Sequence, residues 1–266
     1  MKLVVDTNYL RAPELTLFLA ETDQNFAVIT DYAAMEAFKT ESIPTLIKSF
    51  EIVSQYPRQV LVLKSTTAVC GLHSRKSGLQ RRLVDHKQTV AFPAFYAQLK
   101  MAAAGHSGYT EQLLESGRVA SQHMNLLIDD AVGMTDTFLE MSERFSREER
   151  RIIRTGAIYT PAIVQKFVHA SLELAKELMD IHPRVVRYPR PEELMNHFLA
   201  RMAVCMMLLI LHWVGDGGQL KIKPEKIRND FVDVNFAAYA LYFDGILSKD
   251  QKLSSIAAQA RHILSI

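Results

Sequence analysis

Short β-branched runs alternate with helical patterns over roughly the first 65 residues, and the alternation returns only at the far end of the chain. Lys2–Val5 is the first run, Ala27–Thr30 the second and Val60–Leu63 the third, with a helix expected from Pro13, another after Asp31 and a third over Ile43–Gln55. Strand and helix in strict alternation predict an α/β class built on a parallel sheet. A further helix over Asn229–Asp244, with Gly245 as its C-cap, leads into a short strand at Ile246–Ser248.

Between these two blocks the strand pattern stops. Residues 69–224 read as an all-helical insertion, and residues 1–68 with 225–266 as one discontinuous core. The helix signals in the insertion are specific. Ser146 to Glu149 is a capping box, Thr160-Pro161 opens a helix whose Ile163, Phe167, Leu174 and Leu178 share a face, and Pro191 opens another that runs through the apolar stretch to Gly215. The Gly215-Asp216-Gly217-Gly218 run then breaks the chain. Met202–Val214 carries no charged side chain but is too short for the roughly 20 residues that cross a bilayer, so it reads as a buried core helix.

Composition narrows the function classes. At 48% hydrophobic and 23% charged, the chain has the balance of a globular protein with a sizeable core. A net charge of +2 excludes a surface that is cationic throughout and leaves room for local basic patches. The two cysteines, Cys70 and Cys205, lie far apart with no chelating partner, which predicts free thiols and a reduced, cytoplasmic setting. The first ten residues have neither the form of a signal peptide nor that of a transit peptide, and no membrane association is expected.

Open parallel sheets bind ligands beyond the C-terminal ends of their strands. Here those positions are acidic. Asp6 follows the first strand, Glu36 lies early in the helix after the second, and Asp250 follows the last. Asp230 and Asp233 are three apart, hence on one helix face, followed on that face by the small Ala237 and Ala240. Carboxylates gathered at one edge raise each other's pKa unless a positive charge sits among them. A hard divalent cation takes oxygen ligands and suits phosphodiester chemistry. Simpler roles are open for several of these acids: Asp31 as a helix cap, Glu36 as the partner of Lys39, Asp230 as the N-cap of its own helix, Asp244 as a surface turn residue.

Three stretches, VVDTN at Val4–Asn8, ITDYAAMEAFK at Ile29–Lys39 and NDFVDVNFAAYALYFDGILSKD at Asn229–Asp250, resemble the motif blocks of PIN-domain ribonucleases. The resemblance implies a three-layer fold with a central parallel sheet. It carries four catalytic and metal-holding acids onto Asp6, Glu36, Asp233 and Asp250, with Asp230 as an auxiliary metal group and Thr7, Asn8 and Ser248 as polar supports. It also implies Mg²⁺ or Mn²⁺ as cofactor and hydrolysis of phosphodiester bonds by a metal-activated water, in RNA rather than DNA. A protein inhibitor or a second copy of the chain is a possible partner. The long insertion departs from the family's short helical link.

Two other readings stay open: a catalytically idle scaffold whose insertion mediates interactions, and a structure-specific DNA nuclease of the flap-endonuclease type. A haloacid-dehalogenase-like phosphatase wants an acid where Asn8 stands, and the chain has no G-x-G-x-x-G after strand one, no P-loop and no G-x-S-x-G. For phosphate contacts, Arg75, Lys76, Arg81, Arg82 and Lys87 form the leading nucleic-acid patch, expected to project near the acidic edge. Arg184, Arg187 and Arg190, interleaved with Tyr188, form a second. Arg147, Arg150, Arg151 and Arg154 alternate with acids as a surface helix would.

Overall fold

A computed structural model describes residues 1–39, 42–217 and 224–265, with the side chains of 127–139 and 224 left out of account. Gly218, the last residue of the expected chain break, lies outside the described residues. The protein is mixed α/β, with a four-stranded, all-parallel sheet. The strands are β1 (Lys2–Val5), β2 (Phe26–Ile29), β3 (Val60–Val62) and β4 (Gly245–Leu247), in spatial order β3-β2-β1-β4. Val4 pairs with Val28 and with Ile246, and Val28 with Leu61, so matching β-branched and aliphatic side chains stack across the sheet. The free side of β3 is closed by the segment after it. Leu63 bridges Val84, and the Asp85 N–H donates to the Val62 carbonyl at 2.8 Å, which covers an edge otherwise open to other strands.

The helices in chain order are α1 (Pro13–Glu21), α2 (Asp31–Phe38), α3 (Ile43–Gln55), α4 (Thr66–Cys70), α5 (Leu79–Leu83), α6 (His86–Ala103), α7 (Ser107–Glu143), α8 (Arg147–Thr155), α9 (Pro161–Ile181), α10 (Phe198–Gly215), α11 (Pro224–Ala240) and α12 (Gln251–Ile263). The local signals explain several boundaries. Ser146 and Glu149 make the reciprocal capping box of α8, and the Thr160 side chain accepts from the Ile163 N–H to cap α9. Helix α3 spans the expected residues.

Helix α10 is apolar all round because it is enclosed all round. It packs against α9, α11 and α12, and nearly every residue from Phe198 to Val214 is buried. It has the length and composition of a membrane span, yet 89% of it is buried inside the protein. Each such Leu or Ile contributes roughly 1.5–3 kcal/mol of burial. One continuous hydrophobic cluster runs from Val4 and Val28 through Leu208 and Met207 to Ile256. The inserted helices thus share a core with the sheet.

Several boundaries differ from expectation, each for a local reason. Pro191 opens only a short 3-10 helix, Pro191–Asn196, and α10 starts separately after His197, whose ring accepts from the Leu199 N–H at 3.3 Å. Helix α11 begins at Pro224, not at Asn229, so Asp230 stands inside the helix and is not its N-cap. It ends at Ala240. Gly245, with φ of +149°, opens β4 where Leu3 lies 3.4 Å from the place of a side chain, and so is not a C-cap. Thr30, not Asp31, caps α2 by accepting from the Ala33 N–H at 3.1 Å. Asp31 instead accepts from the Thr66 N–H and hydroxyl at 2.5 and 2.8 Å, which ties α2 to the start of α4. Asp244 is exposed, as a turn residue should be, and its carboxylate accepts from the Lys2 N–H.

Candidate functional site

The chain lays down β1, β2 and β3 in one direction across the sheet and then returns to place β4 on the other side of β1. The crevice between the C-terminal ends of β1 and β4 is therefore the point where strand order reverses, the usual ligand position in an open parallel sheet. Asp6 and Ser248 flank it. The Ser248 hydroxyl donates to Asp6 Oδ2 at 2.7 Å and accepts from the Asp250 N–H at 3.0 Å, so one serine joins the two strand ends.

Asp6 is buried, and burial pushes its carboxyl above the ordinary range, helped by the charge of Glu36 and opposed by hydrogen bonds from Ser248 and from the backbone N–H groups of Asn8 and Thr7. Asn8 thus supports the site through its backbone, while its side chain is exposed. Thr7 donates its hydroxyl to Glu36 Oε2 at 2.7 Å, and Lys39 pairs with Glu36 Oε1 at 3.2 Å. Glu36 therefore faces the end of β1 and pairs with Lys39 at the same time.

Asp233 carries the strongest electrostatic load. Its carboxyl is pushed up to about 8, first by burial and then by the charges of Asp250 and Asp6, with Lys252 opposing and Asp230 adding a little. Asp250 caps α12 by accepting from the Leu253 N–H at 2.9 Å. Asp230, almost fully buried, has both oxygens engaged: Oδ2 accepts from the Trp213 indole N–H at 2.9 Å, and Oδ1 pairs with the Lys252 ammonium. Ala237 and Ala240, further along that face of α11, are buried as their size allows.

Five acids thus meet at one edge, Asp6, Glu36, Asp230, Asp233 and Asp250. Among the described residues, no group of three or more His, Cys, Asp or Glu is already disposed to hold a metal ion. The donor chemistry still fits a hard divalent cation, since every candidate ligand is a carboxylate oxygen and Asp233 bears a repulsion that positive charge relieves.

Lys252 and Trp213 are the site residues that sequence reasoning misses. Neither belongs to a local motif, and the contact that defines each spans 22 and 17 residues of chain. Lys252 follows Asp250 by two positions, and that is its only signal in the sequence.

The basic segment lies elsewhere than expected. Lys76 and Arg81 line a cavity together with Lys2, Phe26, Tyr242 and Phe243, residues that open or precede the strands, so they are not beside the acids. The crossing segment carries them along β3 toward the starts of the strands. Arg82, half-buried, folds back onto its own loop. Its guanidinium donates to the carbonyls of Ser77, His73 and Arg75 and holds its own loop together. Arg75 and Lys87 are exposed. Arg184, Arg187, Tyr188 and Arg190 line a smaller cleft of about 210 Å³ with His73, Ser74 and Glu193. Arg147, Arg150, Arg151 and Arg154 lie on α8 or its last turn, where Arg151 pairs with Glu148 and Arg154 donates to the Val214 carbonyl. Cys70 and Cys205 are free and buried, with thiols pushed up to about 12 by burial.

Comparisons with known protein families, with curated proteins and with solved structures gave no match to this chain.

Proposed function

We propose that the protein is a PIN-like, metal-dependent nuclease that hydrolyses phosphodiester bonds, in RNA rather than DNA. The observation that carries the reading is the convergence of Asp6, Asp233 and Asp250 at the switch point between β1 and β4, where Asp233 is pushed up to about 8 first by burial and then by the charges of Asp250 and Asp6. The three sequence blocks that resemble the PIN family supply these acids in the family's order.

The chain's own groups have distinct parts in this reading. Asp6 is held in one orientation by Ser248 and by two backbone N–H groups. Asp233 keeps its proton at neutral pH and releases it when positive charge enters among the carboxylates. Asp6, Glu36, Asp233 and Asp250 would hold Mg²⁺ or Mn²⁺, with Asp230 as an auxiliary group oriented by Trp213 and Lys252. When bound, the cation polarises the phosphodiester and activates water for attack on phosphorus. Thr7 keeps Glu36 turned toward the end of β1.

The test is cleavage of a mixed single-stranded RNA pool with Mn²⁺, Mg²⁺ or EDTA. The expected result is cleavage that EDTA abolishes and that a folded Asp233→Asn variant lacks. Cleavage that survives either treatment overturns the reading, and preference for branched DNA in the same assay transfers it to the flap-endonuclease type.

A second reading has its own observation. Lys252 pairs with Asp230, and Lys39 with Glu36, so the protein's own cations already balance two of the five acids, as an idle scaffold would require. Isothermal titration with Mn²⁺ separates the two, because a scaffold balanced in this way takes up no divalent ion that Asp233→Asn removes.

A further inference from the structure

A cavity of about 640 Å³ lies at the end of the sheet away from the acids. Lys2 lines it, four residues before Asp6 and so about 13 Å from it along an extended strand. Part of the wall is apolar or aromatic, from Phe26, Leu61, Tyr242 and Phe243. The charged groups in the lining are all cations: Lys2, Lys76, Arg81 and Arg201, with His86 beside them. Among the described residues no Asp or Glu lines it.

These cations fall into two kinds. Arg201 is buried and fixed, donating to the carbonyls of Met195 and Leu241, with its guanidinium 3.9 Å from the Tyr242 ring centre. The side chains of Lys2, Lys76 and Arg81 make no ion pair or hydrogen bond among the described residues, and Lys76 and Arg81 are exposed. Uncompensated cations around an apolar hollow focus positive potential into it. The volume and the mainly apolar wall are those of a small-molecule site, with the polar groups confined to a few positions. Three cations without an acidic partner suit a phosphate dianion better than a single carboxylate. Aromatic and aliphatic walls suit a flat base.

We propose that this cavity binds a nucleoside phosphate, with the base against the wall formed by Phe26, Tyr242 and Phe243 and the phosphate held by Lys76, Arg81 and Lys2. The ligand is either a free mononucleotide or the phosphorylated end of a strand. The site stands on the cavity and its charges alone and does not require the acidic edge to be catalytic.

Isothermal titration of the full chain in EDTA tests it, with AMP and UMP, the nucleosides adenosine and uridine, a 5′-phosphorylated trinucleotide, and laurate as a carboxylate with an apolar body. A Lys76→Gln/Arg81→Gln double variant is compared with Arg147→Gln/Arg151→Gln, which removes the same charge from α8. The expected result is that a phosphorylated probe binds, that nucleosides bind at least about tenfold more weakly, and that only the first double variant loses about tenfold or more. Binding of AMP or UMP identifies the free nucleotide as the source. Binding of the trinucleotide alone identifies a strand end. The proposal is overturned if neither phosphorylated probe binds, if nucleosides bind equally well, if laurate binds more tightly, or if Lys76→Gln/Arg81→Gln retains wild-type affinity. Intact binding in a protein that cleaves no RNA overturns only the nuclease reading, and RNA cleavage without nucleotide binding overturns only this one.

Discussion

The ammonium of Lys252, at the start of α12, rests on the buried carboxylate of Asp230, one turn before Asp233 on α11. The pair links the two helices that follow and precede β4, and it sets a positive charge beside the most strained acid of the site.

Removing one partner of such a pair leaves an uncompensated charge. Lys252→Met should destabilise the protein by about 3 kcal/mol, and adding Asp230→Asn should recover about half of that loss. Urea unfolding of the two single variants and the double variant measures the coupling. Strictly additive losses would show that the ammonium and the carboxylate do not interact.

Asp233 makes stability depend on pH in an unusual direction. Its carboxyl titrates at about 8 when folded against an ordinary 3.8, so between those values the folded chain holds the extra proton. This group's contribution is complete below about pH 4 and is lost as pH rises through about 8. Asp233→Asn should therefore match the wild type at pH 4 and exceed it by at least about 2 kcal/mol at pH 8.5 in EDTA. An equal difference between the two proteins at both pH values would refute the upward push that burial and the neighbouring acids give this carboxyl.

His197 works in the opposite sense. Buried at the cleft lined by Arg184, Arg187 and Arg190, it is pushed down to about 4 by burial and by the nearby His182, against an ordinary 6.5. The unfolded chain binds the extra proton between those values, so stability is complete above pH 6.5 and falls as pH drops toward 4, by about 3 kcal/mol. His197→Asn keeps an acceptor for the Leu199 N–H at the start of α10 and should flatten that acid limb. An unchanged acid limb in that variant would exclude His197 as its cause.

Arg82 and Arg81 are neighbours with different work. Arg82→Gln removes donors from three loop carbonyls and should cost about 1–3 kcal/mol, with faster proteolysis between residues 73 and 82. Arg81→Gln should leave both measurements at wild-type values, since its side chain is exposed and makes no contact of this kind among the described residues. Equal sensitivity in both variants would contradict the difference in their surroundings.

The parts of the fold legible in sequence are those written locally. Strand β1, helix α3 and the caps at Ser146 and Thr160 follow from periodicity and from side chains that reach their own backbone. So does the burial of α10, which has no polar face to turn outward. What sequence leaves open is decided across the chain. Asp31 looks like a cap until Thr66 is brought to it, and Asp230 looks like a helix start until residues from Pro224 are seen to wind before it. Following β3 in sequence, the basic segment at 75–87 is expected at the acidic edge. Its bridge at Val84 instead runs antiparallel to β3, back toward the strand starts.

The chain has a single tryptophan, and the fold puts it at Asp230. All intrinsic indole fluorescence therefore comes from one ring whose N–H is bonded to a carboxylate one turn from Asp233. No label is needed to watch the acidic edge. With excitation at the red edge, where tyrosine does not absorb, a paramagnetic ion arriving there dims the one indole and protonation of the acids shifts its colour, so occupancy and ionisation of the site can be read optically from the unmodified protein.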